Sequence, residues 1–173
     1  VDWTLTIKKG VKLHKGWGDL TSEDIKFTLM EMKKEGTVNS YSKYMKEWFG
    51  GEESNLDATD PYVLKVHQPV QKVAPYRLFY VIGPWEARNL RPFSKEYFEK
   101  VGEEVFATDP VYAGPYEFDE HELGYRLKLT AVTDHYRFTP GFAVLNYFKV
   151  TETGTIIAML RTGQLDIATI EPK

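Results

Sequence analysis

Trp3, Leu5 and Ile7 alternate with Thr4, Thr6 and Lys8, a period of two that lays one apolar face of a strand against a core. Gly10, Gly16 and Gly18 punctuate the polar stretch that follows and predict turns. Thr21 stands where a helix N-cap belongs, Asp24 three residues on can answer the backbone donors, and Ile25, Leu29 and Met32 fall on one helical face. Gly36 is placed to stop that helix. A second short helix is expected over residues 41–49, closed by Gly50 and Gly51, and residues 52–60 read as a polar loop. Tyr62, Leu64 and Val66 alternate as a strand ended by Pro69. The apolar patch at residues 78–82 is too short for periodicity to decide between helix and strand. Ser94 is expected to cap a helix through Lys100 that stops at Gly102.

The alternation returns after Gly114-Pro115-Tyr116. Phe118 leads to a turn at Leu123-Gly124, and Tyr125, Leu127 and Leu129 alternate on its far side, which predicts a hairpin. A strand over residues 144–150, a helix over residues 155–161 ending at Gly163, and a resumed strand at Leu165, Asp166, Ile167 and Ala168 spell a βαβ unit. Its strands are expected to be parallel and its crossover right-handed. The chain of 173 residues is about one domain in size. Its natural division falls near residues 107–110, and it carries no internal repeat or low-complexity tract.

Composition narrows the function classes. The formal net charge is -3 with the lysines dispersed, so the basic stripe that nucleic-acid binding needs is missing from the pattern. No apolar run approaches the ~18 residues of a membrane span. Zero cysteines exclude disulfides, thiolate metal sites and a cysteine nucleophile. Aromatic residues reach 14%, enough to fill a core and leave some for stacking on a ligand.

Enzyme constellations fail on spacing. His121-Glu122 opens like a zinc-protease helix motif, but Tyr125 stands where the second histidine is required. His14, His67, His121 and His135 show no ligand spacing, so no metal site and no cofactor is expected. No Gly-x-Ser-x-Gly elbow and no phosphate loop occurs. Glu52-Glu53 and Glu103-Glu104 are sequence neighbours that diverge in direction, whereas catalytic carboxylates must face each other across a cleft. No catalytic residue is assigned.

Two stretches have a more specific order. In WTLTIKKGVKLHKGWGDLTSEDIKFTL, residues 3–29, a strand ends in Lys-Lys-Gly-Val, followed by Leu-His-Lys-Gly-Trp-Gly and then Leu-Thr-Ser-Glu-Asp-Ile. The second stretch opens with DPVYAGPYEF at residue 109, passes through Asp134-His135-Tyr136, and closes with MLRTGQLDIATI at residue 170. Together they resemble the extracytoplasmic solute-binding proteins of ABC importers, family 5, which capture peptides, nickel chelates and some oligosaccharides. Three positions depart from the family pattern: Ala113 precedes Gly-Pro-Tyr where a small polar residue is usual, Arg137 replaces a Trp, and Gln164 replaces a Glu. None breaks a turn or a core position, so they bear on the ligand rather than on the family.

The resemblance implies an α/β (mixed α+β) fold, a periplasmic-binding-protein-like (type II) lobe fragment. Residues 1–108 would form a small α+β subdomain of the first lobe and residues 109–173 part of the main sheet with the βαβ unit, the second lobe being absent. No signal peptide is legible in such an excerpt, which says nothing of export. It further implies an extracytoplasmic, lipid-anchored or periplasmic monomer that takes a peptide or other small solute and hands it to a membrane permease, without cofactor, enzymatic activity or nucleic acid. An oligosaccharide is the alternative ligand, and a carbohydrate-active enzyme or sugar-binding module the rival class. By resemblance, the stretch after the first helix supplies an aromatic residue to the cleft, which points to Tyr41 or Tyr44. The segment before Gly-Pro-Tyr points to Trp85 for stacking and Arg88 for holding a carboxylate. Tyr41 and Tyr44 lie three apart on an expected helix, so burial of one face competes with ligand contact, and Trp85 and Arg88 follow Gly83-Pro84 in an expected loop where exposure alone would account for them. Trp3, Phe27 and Phe118 are expected in the core.

Overall fold

A computed structural model describes residues 2–34, 36, 42–69 and 90–170, without the side chains of Tyr44 and Met45. The first sheet runs in the order β1-β3-β2, with β1 at Asp2–Thr6, β2 at Leu56–Asp60 and β3 at Val63–His67, all neighbours antiparallel. Register follows the apolar alternation. Trp3 pairs with Val66 and Leu5 with Leu64, so one face collects these side chains. Helix α1, Ser22–Met32, covers that face with Ile25, Leu29 and Met32, and α2, Ser42–Phe49, adds the fully buried Trp48 and Phe49.

The predicted cap of α1 forms. Asp24 Oδ2 accepts from the Thr21 N–H and from Thr21 Oγ1, both at 2.8 Å, and its Oδ1 accepts from the Lys95 N–H at 2.9 Å. Lys95 opens helix α3, Lys95–Thr108, whose N-cap Ser94 accepts from the Tyr97 N–H at 3.2 Å. One buried carboxylate thus serves the first turns of two helices, where unpaired donors and the dipole both favour it.

Three expectations about extent are corrected. Residues 52–60 are a 3₁₀ turn, Glu53–Asn55, followed by β2 rather than a loop; Leu56 and Ala58 alternate inward, but Asp57, Thr59 and Asp60 mask that alternation. α3 continues past Gly102, which kinks it at φ 81° without ending it. α1 stops at Met32, before Gly36.

α3 packs on α1 through rings: Phe27, Phe93, Phe98 and Phe106 form a cluster whose centroids lie 4.7–5.7 Å apart in neighbouring pairs. A second core gathers Val11, Leu13, Leu20, Tyr97 and Val111. Phe27 joins the ring cluster while half-buried, Trp3 packs against the first core, and Phe118 is half-buried on the second sheet.

That second sheet is an antiparallel meander, β4-β5-β6, with β4 at Tyr116–Glu122, β5 at Arg126–Ala131 and β6 at Val144–Phe148. The hairpin closes at the predicted turn, where the Tyr125 N–H donates to Glu122 O at 3.0 Å and Gly124 takes φ 78°. Helix α4, Thr153–Arg161, follows, and Gly163 lies in the left-handed region. The expected βαβ unit is not formed among the described residues. Residues 165–170 make no strand pairing and Ile167 is 87% exposed; β6 stands at the end of its sheet, paired to β5 on one edge, and among the described residues no parallel partner joins its other edge.

Candidate functional site

The 3₁₀ turn His14–Gly16 carries two successive residues in the left-handed region, Lys15 at φ 57° and Gly16 at φ 74°. A lysine there is strained, and it is held by an ion pair with Asp109 and by its ammonium lying 5.7 Å from the Phe118 ring centre. Lys15 keeps the Asp109 carboxyl below the usual carboxylate range. The turn pins the strap of residues 109–114. The His14 N–H donates to Tyr112 O at 2.8 Å and the Ser94 N–H to Val111 O at 3.2 Å, while the Tyr97 hydroxyl lies 2.8 Å from Asp109 O and 3.0 Å from its Oδ2. Val111 is fully buried beneath it.

Between turn, strap and the approach to α3 lies a cavity of about 370 Å³. Val11, Leu20 and His14 form its buried lining, and Tyr112, Ala113 and Gly114 of the strap form a second wall. Arg91 and Pro92 enter from the α3 approach, with Tyr116 of β4 and Tyr136 beyond it. His14 is 5% exposed, and its Nε2 sits 2.9 Å from Gly114 O, so that nitrogen carries the proton and donates. Burial pushes its basicity below the ordinary value, against the opposing pull of the Gly114 carbonyl, and the ring is neutral at physiological pH. Its Nδ1 is buried without a partner among the described residues. Burial also raises the Tyr112 phenol, and the nearby Arg91 charge opposes that shift.

The residues singled out from sequence are distributed differently. Tyr41, Trp85 and Arg88 lie outside the described residues, and so does the side chain of Tyr44, whose backbone is on α2. His121 and Glu122 occupy β4, where neighbours point to opposite faces, so the helical geometry of a zinc motif does not arise. Glu52, Glu53, Glu103 and Glu104 are exposed, with Glu53 paired to Lys26 at 3.1 Å. His67 Nδ1 meets Asp2 at 2.7 Å beside a smaller surface hollow of about 160 Å³. Among the described residues no group of three or more acidic, histidine or cysteine side chains converges to hold a metal, and no helix is long and apolar enough to cross a membrane. Sequence reasoning missed the cavity residues His14, Arg91, Tyr112, Tyr116 and Tyr136. The available signal was the recurrence of turn residues and aromatics in Leu-His-Lys-Gly and Tyr-Ala-Gly-Pro-Tyr.

Residues 2–173 match the family described as bacterial extracellular solute-binding proteins, family 5 Middle. The chain belongs to that family. No curated protein matches this family 5 chain in sequence. Solved structures with the same fold include MoaA from A. tumefaciens in complex with mannopinic acid, at 21% identity and a TM-score of 0.78. NikZ from Campylobacter jejuni in complex with Ni(L-His) gives 17% and 0.77, and the oligopeptide-binding protein AppA from Bacillus subtilis in complex with a nonapeptide gives 19% and 0.73. Each match covers 95% of this chain and 31% of the other, so the chain spans about a third of their length. The mixed α/β architecture with two small sheets is the one these neighbours share over that third.

Proposed function

We propose that this family 5 chain is part of the solute-binding component of an ABC importer that captures peptides outside the membrane and delivers them to a permease. The observation that carries the reading is the match of the family over residues 2–173. Oligopeptide-binding structures among the fold neighbours support peptide as the ligand. In such a site, backbone hydrogen bonds hold an extended peptide while roomy, wet pockets accept varied side chains. In this reading residues 1–108 are a small subdomain of one lobe, and residues 109–173 begin its main sheet. Tyr41, Tyr44, Trp85 and Arg88 are the proposed ligand contacts, with the two kinds of aromatic ring for stacking and the guanidinium for a carboxylate.

The test is mass spectrometry of what copurifies with a protein of the relatives' length carrying this chain. Bound peptides of mixed sequence are expected; a uniform oligosaccharide in their place overturns the peptide assignment. Alanine variants then separate contacts from core. Trp85 and at least one of Tyr41 and Tyr44 should lose about 1 kcal/mol of binding while the melting temperature is spared. If all three variants melt early, or bind normally, the site assignment is wrong.

A further inference from the structure

The cavity beside the 109–114 strap has a lopsided charge. Among the described residues that line it, only Arg91 carries a full charge at neutral pH, since His14 is neutral and the remaining polar groups are phenols or backbone. Among the described residues no carboxylate lies in the lining and Arg91 has no acidic partner. Several lysines elsewhere are matched by carboxylates, Lys12 with Asp19 at 2.5 Å, Lys95 with Glu23 at 3.2 Å and Lys128 with Asp119 at 2.8 Å, while Lys9 and Lys100 lie over aromatic rings. A second cation stands beside the cavity, because Lys8 Nζ donates to Tyr136 O at 3.4 Å and lies 5.1 Å from that ring's centre. Glu117 acts on His14 through space without entering the lining.

The wall facing Arg91 is held in place before any ligand arrives. Tyr112 and Gly114 are fixed by the two His14 hydrogen bonds, and the base of the strap is fixed by Lys15 and Tyr97 on Asp109. On the other side, the Phe93 N–H donates to Thr28 Oγ1 at 3.2 Å and the Lys95 N–H to Asp24, which anchors the segment bearing Arg91 to α1. A guanidinium with no acidic partner among the described residues, beside a wall of phenols and apolar side chains, offers a two-pronged donor to a planar anion and ring faces to the group that carries it.

We propose that this cavity is a carboxylate-binding subsite, in which Arg91 grips the carboxylate and the tyrosines 112, 116 and 136 flank the apolar or aromatic group attached to it. The carboxylate is either the C-terminus of a peptide or that of a free organic acid. This deepens the solute-capture reading and rests on it. Cationic ligand ends are disfavoured here, because Arg91 and Lys8 are both positive and the described lining residues offer no acidic acceptor.

The test is heteronuclear NMR titration of a protein of the relatives' length carrying this chain, following the Arg91 side-chain N–H and the amides of Ala113 and Gly114. Three probes are compared: N-acetyl-glycyl-phenylalanine, its C-terminal amide, and phenylacetate. The acid should move these signals with an affinity about tenfold or more above that of the amide. Arg91→Gln should erase that ratio, and Arg91→Lys should restore only part of it, since an ammonium lacks the fork. Equal effects of phenylacetate and the peptide acid identify a free-acid source, and a stronger peptide acid identifies a C-terminus; both support the subsite. Equal binding of acid and amide at these signals overturns the carboxylate subsite while leaving solute capture standing. Absence of any shift, or shifts confined to other residues, overturns the subsite outright, and the copurification result then decides the wider reading separately.

Discussion

Replacing Asp24 by alanine removes one side chain from two helix starts at once. The carboxylate is 7% exposed and accepts from Thr21 N–H, Thr21 Oγ1 and Lys95 N–H. Loss of a helix cap costs about 1 kcal/mol. A hydrogen bond to a charged acceptor, removed so that a part-buried donor is left unmatched, costs about 1–3 kcal/mol more. The expected total is about 2–4 kcal/mol, which for a chain of this length corresponds to a melting shift of about 5–15 °C. Asp24→Asn keeps the shape and an acceptor but loses the charge at both helix dipoles, so it should fall near about 1 kcal/mol. Urea unfolding monitored by tryptophan fluorescence measures both values. Hydrogen exchange should in addition show the Lys95 amide losing protection, because its acceptor is gone. A cost below about 0.5 kcal/mol for Asp24→Ala, with Lys95 still protected, would refute the claim that one carboxylate ties α3 and the Arg91 segment to α1.

His14 supplies a pH signature. Its native basicity is lowered by burial, so the unfolded chain takes up the proton first, and stability should fall as pH drops below about 6.5 toward the lowered native value; His14→Phe should flatten that part of a stability profile measured by denaturant at several pH values. Gly50 has φ 70° and a built Cβ would stand 2.8 Å from Pro69 Cγ, whereas Gly124 at φ 78° has open space. Gly50→Ala should therefore cost about 1–3 kcal/mol and exceed Gly124→Ala, and equal melting temperatures would contradict the steric part. Phe93→Ala should cost about 3–5 kcal/mol by emptying the ring cluster, while Leu123→Ala, at an 89% exposed turn position, should stay within about 0.5 kcal/mol in the same assay.

The parts of this fold legible in sequence are those encoded by neighbours a few residues apart. Thr21 and Asp24 announce the α1 start because a capping box is closed within four positions, and Leu123-Gly124 announces the hairpin because the turn chemistry is local. β2 escaped because its polar residues, Asp57 and Asp60 among them, satisfy backbone donors of Thr59 and Tyr62, a job that resembles loop chemistry. The end of α3 escaped because a glycine at a kink reads the same as a glycine at a stop. The pairing of β6 is non-local: its apolar pattern suits a parallel or an antiparallel partner equally, and only the register with β5 decides. The cavity was least legible. His14, Arg91, Tyr112 and Tyr136 come from separate segments, and backbone hydrogen bonds from His14 and Ser94 to the strap, which no side-chain pattern records, help to bring the first three together.

The proposal that this chain helps to build a solute-capturing cleft is most directly tested by calorimetry. Titrate a mixed peptide pool into a protein of the relatives' length carrying this chain, and into the 173 residues alone. Closure around a ligand supplies much of the buried contact in such sites. The account predicts saturable binding by the longer protein and binding at least about a hundredfold weaker by the isolated chain, a difference of about 2.7 kcal/mol. Tight binding by the 173 residues alone, or no heat of peptide binding from the longer protein, would contradict it.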